Sequence, residues 1–377
     1  MNFNDIIGQD FLKTYFQKII VRDRVPNTQL FVGREGTGTL PMAWAFAREL
    51  LCGDNENCRH KVDKLIHPDL HFVFPTVATP QIKKPDSESF MKEWRDFLLQ
   101  NPYAGLFDWM QHLEVANKQG FIRVVDAENI IKKVMVKPYE APYKVIIIWQ
   151  IEKMNNETAN KLLKLLEEPP ADTKLILIAE SVEEVLPTIL SRCQIHHFNP
   201  VSIEQIQKAL QNQFEWDAEQ SLKIAHKANG SWHRALQLAQ SGEIGSDFQN
   251  YFIQWVRIAF SAKKNKQAIR ELIKWSEQMA SLGREPQKQF LEFALETFRQ
   301  ALMINYQNAR LAYYDFRDMG FEMQKFAPFI HGGNIQNIYE SVSNAYYYIE
   351  RNANPKLIFL DLSINLTKFI HKVENSG

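Results

Sequence analysis

The sequence predicts an α/β domain, a parallel sheet with helices on both faces, followed by a region that is helical throughout. Three observations carry this. Short, continuous apolar runs alternate with helical patterns up to Asn199-Pro200, the rhythm of a covered parallel sheet. A glycine-rich turn, Phe31-Val32-Gly33-Arg34-Glu35-Gly36-Thr37-Gly38-Thr39-Leu40, joins one such run to a helix. After Asn199-Pro200 the apolar residues recur only at helical spacing.

Taken in order, residues 3–21 open with Asp5-Ile6-Ile7-Gly8-Gln9 and continue with Phe11, Leu12, Tyr15, Phe16, Ile19 and Ile20 on one helix face. Residues 29–32 form a short buried strand, and residues 41–51 a helix whose first turn tolerates Pro41. The polar stretch 53–64 reads as a loop or small excursion, and 67–74 as a second strand. Between 76 and 120, Phe90, Trp94, Phe97, Trp109 and Leu113 recur at roughly helical intervals, which predicts helices inserted at the domain edge. A helix over 126–134 precedes Lys144-Val145-Ile146-Ile147-Ile148-Trp149, a strand buried on both faces. Residues 156–166 form a helix stopped by Pro169-Pro170, followed by a strand over 174–179, a short helix over 187–190 and a last strand over 194–198. Short helices fill 203–240 around the turn Ala228-Asn229-Gly230-Ser231. Beyond Gly242 and Gly245, Phe248, Tyr251, Phe252, Trp255, Ile258 and Ala259 share one helix face; Phe290, Phe293, Ala294, Thr297, Phe298 and Ala301 share another.

The chain has 377 residues, enough for two or three domains. Its 44 Lys+Arg balance 44 Asp+Glu, so no global field draws it to nucleic acid or to a membrane surface. The first residues lack the basic and apolar regions of a signal peptide, and no apolar run reaches the roughly 18 residues of a membrane helix; a cytoplasmic protein is expected. Three cysteines, Cys52, Cys58 and Cys193, are too sparse for a secreted disulfide framework.

The glycine turn keeps the Gly33 to Gly38 spacing of a phosphate loop, with Gly36 between, but Thr39 stands where the phosphate-binding lysine belongs and Leu40 where the magnesium-binding hydroxyl belongs. At the end of the strand after Ile148, a phosphate-loop ATPase needs a magnesium-holding aspartate and a glutamate that polarises water. This chain has Trp149 and Gln150 there. Glu152 could serve only if the alignment slipped by two residues, which would carry the carboxylate off the strand tip. Four positions change together, so hydrolysis is not expected. Lys132, Lys133 and Lys137, with Arg123 before them, could touch a phosphate backbone, though solvated surface charge is the commoner explanation.

Asn160-Lys161-Leu162-Leu163-Lys164-Leu165-Leu166-Glu167-Glu168-Pro169-Pro170, followed by Ser191-Arg192-Cys193, resembles signatures of the bacterial DNA polymerase III clamp loader, a pentameric AAA+ assembly. The resemblance spans about the first 240 residues, including Ile7-Gly8-Gln9 and the glycine turn. Within that family the gamma or tau type keeps its lysine and acidic pair, whereas the delta-prime type has a broken site and keeps S-R-C; this sequence is similar to the delta-prime type. The resemblance implies an AAA+ RecA-like domain over 1–199 with a degenerate phosphate loop, a helical lid over 200–242, and an all-α collar over 243–377 for oligomerisation. It implies no cofactor and no turnover by the chain itself, within an assembly that is an enzyme. The implied partners are gamma/tau and delta subunits in a hetero-pentamer, the sliding clamp, and primed DNA through the assembly, with no membrane. Arg192 would act in trans as an arginine finger on a neighbour's ATP; the plainer reading is a surface ion pair. Ser191 and Cys193 read as packing residues. His233 holds the place of the family's second, nucleotide-sensing arginine, with Arg234 one residue late, and reads as a surface histidine. The family's four-cysteine zinc module would begin at Cys52, and Cys58 could follow with His60 and His67 nearby, but the paired spacing is missing and a metal-free loop is favoured. The alternatives are an active gamma/tau-type ATPase and a scaffold outside replication.

Overall fold

A computed structural model describes residues 1–80, 82–115, 118–241, 246–262, 265–306 and 320–372. The chain divides into two compact units, Met1–Gln240 and Ser241–Gly377. The expected boundary between 242 and 243 lies outside the described residues.

In the first unit, an opening single turn (Phe3–Asp5) and helix α1 (Asp10–Val21) precede strand β1 (Thr28–Val32). They are separated by Gly8 and Gln9, both left-handed, where one continuous helix was expected. There follow α2 (Thr39–Cys52), α3 (Glu56–Asp63), β2 (Leu70–Val73), α4 (Met91–Gln100), α5 (Leu106–His112), α6 (Val124–Val134), β3 (Lys144–Trp149), α7 (Asn156–Glu167), β4 (Thr173–Ala179), α8 (Pro187–Leu190) and β5 (Gln194–His197). The five strands are all parallel, in the order β2-β3-β4-β1-β5. Every residue of β1, β3 and β4 is buried, as continuous apolar strands covered on both faces require. Alternate residues feed two cores: Phe31, Val145, Ile147, Trp149, Ile176 and Ile178 join α1, α2, α4 and α5 on one face, and Leu30, Val32, Ile146, Ile148, Leu175 and Leu177 join α6, α7 and α8 on the other. This is the parallel sheet with helices on both faces that the sequence predicts. Helices α9 (Ile203–Phe214), α10 (Ala218–Ala228) and α11 (Trp232–Ser241), in the stretch where a lid is expected, follow with their own small core of Val201, Ile206, Leu210, Ala225, Ala228, Trp232 and Ala235.

Three local expectations change. The polar stretch after Gly53 contains α3, whose N-terminus is capped by the Asn55 side chain accepting from the Cys58 N–H at 3.1 Å; its exposed, charged composition hid the helix. The second strand is shorter at both ends than the expected 67–74, and Asp69 lies just before it, its carbonyl accepting the Val145 N–H at 2.8 Å. Its buried carboxylate accepts the N–H groups of Tyr139, Glu140 and Ala141 at 2.6, 2.9 and 3.0 Å. Cys52 and Cys58 are joined in a disulfide across the turn between α2 and α3, so neither offers a thiolate to zinc. His67 stands within 4.8 Å of both sulfurs.

The second unit contains α12 (Ser246–Ala262), α13 (Lys266–Ala280), α14 (Arg284–Asn305), α15 (Met323–Phe326), α16 (Ile335–Glu350) and α17 (Pro355–Phe369) among the described residues. The two aromatic stripes meet in its core: Trp255 stacks on Trp275 at 5.1 Å, Phe252 meets Phe298 edge-on at 5.2 Å, and Phe290 and Phe359 close around them. No described helix is long and apolar enough to cross a membrane.

Thiol titration of the denatured, unreduced chain is expected to count one free thiol, Cys193, and three after reduction. Three before reduction would show Cys52 and Cys58 unbonded in the isolated protein.

Candidate functional site

The glycine turn is a tight loop between β1 and α2. Gly33 N–H donates to the Ala179 carbonyl at 3.1 Å, and the Thr37 hydroxyl to the Arg34 carbonyl at 2.7 Å. Gly36 (φ 78°) and Gly38 (φ 98°) are left-handed, and Gly38 caps α2. Thr39 and Leu40 follow, buried in the first turn of the helix. At the tip of β3, Trp149 is buried with its ring 5.2 Å from Trp94. Gln150 turns the chain with φ 60° and donates its amide to Glu180 Oε1 at 2.8 Å.

Gly33, Gly36, Gly38, Thr39, Leu40, Trp149 and Gln150, singled out in the sequence, all line one cavity. Pro102, Tyr103, Ala104 and Gly105, the turn between α4 and α5 of the insertion, line it too, as do Glu35 and Glu180. The remaining space is about 20 Å³, room for a water molecule or two. No lysine or arginine is among the lining residues. The part played by the insertion has no sequence signal, since nothing in the spacing of its aromatics says where the turn between its helices lies. Glu152 does not line the cavity. It is half-buried just beyond β3, accepting from the Glu180 N–H at 3.1 Å through one oxygen while the other, buried oxygen has no partner. Burial, reinforced by the nearby Glu180 charge, pushes its carboxyl up to about 7.

Helix α11 meets the loop directly: Trp232 N–H donates to the Gly36 carbonyl at 2.9 Å. His233 is not the surface residue expected. It is 2% exposed, with Nε2 at 2.9 Å from Asp108 Oδ2 and 3.4 Å from Glu35 Oε1. Its Nδ1 is 3.1 Å from the Asn101 amide. Burial acts to raise the Asp108 carboxyl, but the hydrogen bond and charge of His233, with the Gly105 N–H, outweigh it and hold Asp108 below the usual range.

Arg192 lies outside this cavity, just after α8. Its Nε and Nη2 donate to Glu167 Oε2 at 3.1 and 3.0 Å, and Nη1 donates to the Thr188 carbonyl at 2.9 Å. Both partners of the ion pair are open to solvent, at 29% and 58% exposure. Beside it, burial pushes the Cys193 thiol up to about 12, which removes it as a nucleophile at neutral pH. Of the basic residues considered for DNA, Lys133 pairs with Glu88 at 2.9 Å, while Lys132 and Lys137 are exposed.

A family model described as "DNA polymerase III, delta subunit" matches residues 8–202. DNA polymerase III subunit delta' of Bacillus subtilis (strain 168) is 30% identical over 198 residues, 51% of this chain and 47% of that one. DNA polymerase III subunit gamma of Buchnera aphidicola subsp. Baizongia pistaciae is 22% identical over 285 residues, 75% and 58% of the two chains. The chain spans about half the length of these relatives. A solved gamma subunit-related protein from Thermotoga maritima superposes with TM-score 0.36 at 14% identity, covering 94% of this chain and 99% of that one.

The raised carboxyl of Glu152 gives a pH signature. Its neutral form is favoured in the folded chain, so its contribution is intact below the ordinary value of 4.5 and is lost as pH rises through about 7. The loss amounts to about 3 kcal/mol. Glu152→Gln is expected to stabilise the chain in urea denaturation at pH 8 and to change little at pH 4.

Proposed function

This chain belongs to the DNA polymerase III delta-subunit family, and we propose that it is a delta-prime-like clamp-loader subunit that hydrolyses no ATP and lends Arg192 to a neighbour that does. One observation carries the first half: the phosphate-loop cavity is filled by the chain's own residues to about 20 Å³ and lined by carboxylates without a cation. A triphosphate would need that space, and it would meet Glu35 and Glu180 where a working loop offers lysine and magnesium.

The second half is supported by how loosely Arg192 is held. An exposed ion pair is worth about 0–1 kcal/mol, so exchanging Glu167 for a phosphoryl oxygen costs little. As the terminal phosphoryl group leaves ATP, its oxygens carry charge that a guanidinium supplied in trans stabilises, an effect worth about a thousandfold or more. The ATP would sit in an adjacent gamma or tau subunit. The helical second unit would serve as the collar that holds the pentamer, with delta, the sliding clamp and primed DNA as the other components.

In a complex reconstituted with gamma or tau and delta, Arg192→Ala is expected to leave assembly intact and lower clamp- and DNA-stimulated ATPase by tenfold or more, while Glu167→Gln leaves it near wild type. Undiminished turnover with Arg192→Ala would remove the trans role. Magnesium-ATP turnover by the isolated chain would instead favour an active gamma-type subunit.

A further inference from the structure

We propose that the insertion turn at 102–108, acting with His233, is a built-in substitute for a nucleotide: it fills the phosphate loop and fastens the helical lid to it, so that the lid is held without any ligand. A nucleotide bridging loop and lid would have to touch both, and this turn touches both. The Tyr103 hydroxyl accepts the Ile7 N–H at 2.8 Å, tying the turn to the segment that opens the chain. Its ring faces Gly38 and is at the same time a member of the lid's core, with Ile206, Leu210 and Trp232. Gly105 lies against the end of the Glu35 side chain, which a Cβ there would push aside.

The fastening is polar. Gly105 N–H donates to Asp108 Oδ2 at 2.9 Å and sets that carboxylate against His233 Nε2, also at 2.9 Å. Glu35, from the phosphate loop itself, brings a second carboxylate to the same nitrogen at 3.4 Å, and the Gln237 amide reaches Asp108 Oδ1 at 3.3 Å. Asn101 completes the ring's surroundings. Its Oδ1 is buried with no partner while its amide nitrogen faces Nδ1; turning the amide over lets Oδ1 accept from an Nδ1–H, while the Gln237 amide nitrogen lies 2.7 Å from Nε2. One histidine on α11 thus joins the lid to the loop through Glu35 and to the insertion through Asp108 and Asn101, beside the direct bond from Trp232 to Gly36. Because the His233 ring is buried, leaving its nitrogens unpaired would be costly, which favours the set staying closed together.

This inference stands apart from membership of a clamp loader and is tested on the full chain alone, by hydrogen exchange. In wild type, amide exchange of α9 and α10 is expected to be unchanged by millimolar magnesium-ADP or magnesium-ATP. In the double variant Asp108→Asn, His233→Ala, exchange of α9 and α10 should accelerate by about tenfold or more, while α14 and α17 of the second unit keep their wild-type rates. Should the double variant fail to fold, the isosteric Asp108→Asn alone carries the same test. Slowing of wild-type lid exchange by nucleotide, or wild-type lid rates in the variants, would overturn the proposal.

Discussion

At the end of β3 the indole of Trp149 lies 5.2 Å from that of Trp94, which stacks on Phe74 at 4.1 Å and meets Trp109 edge-on at 5.3 Å. An ionised carboxylate in place of Trp149 would lose its water and face aromatic rings, at a cost of several kcal/mol. The aromatic residues of the insertion and the absence of an acidic strand tip are therefore one arrangement. α4 and α5 can pack on that face because the strand ends in an indole, and the turn between them is thereby delivered to the glycine loop. Most other features of the site, from the narrowed cavity to the buried His233, follow from where that turn ends up.

The site also contains electrostatics of two kinds. Around the loop the charged groups converge on one buried side chain: Asp108 and Glu35, 20% and 38% exposed, face the buried imidazole of His233, and Glu152 is pushed toward its neutral form beside Glu180. Such groups define a structure, because separating them leaves the buried imidazole without its partners. Arg192 is of the other kind, half in water and shared with one exposed carboxylate. A group meant to meet something outside its own chain has to be of the second kind, since only there is the free energy of leaving one partner for another small.

The sheet was legible because its strands are continuous runs of branched apolar residues, and β1, β3 and β4 fall within a residue or two of the expected segments. The cavity was legible as well, since all seven singled-out positions of the loop and strand tip line it. What was not legible depended on contacts distant in sequence. His233 looks like a surface residue until Asp108, 125 positions earlier, and Glu35 are brought to it. α3 was hidden by its exposed charges, and the Cys52–Cys58 bond by a spacing that suits neither a metal module nor a disulfide framework but does suit one turn of chain between two helices.

The left-handed backbone at Gly36 has a consequence for recognising such proteins. A side chain there would be strained and would also overlap Ser231, and the carbonyl of the same residue is bound by Trp232. The glycine is thus required by the lid, whether or not a phosphate ever arrives. A motif can in this way outlive its chemistry, kept as a hinge-pin after it has ceased to be a socket. Glycine spacing alone would then count this chain among nucleotide binders. The two residues that follow the spacing, Thr39 and Leu40, are where this chain departs from a working phosphate loop.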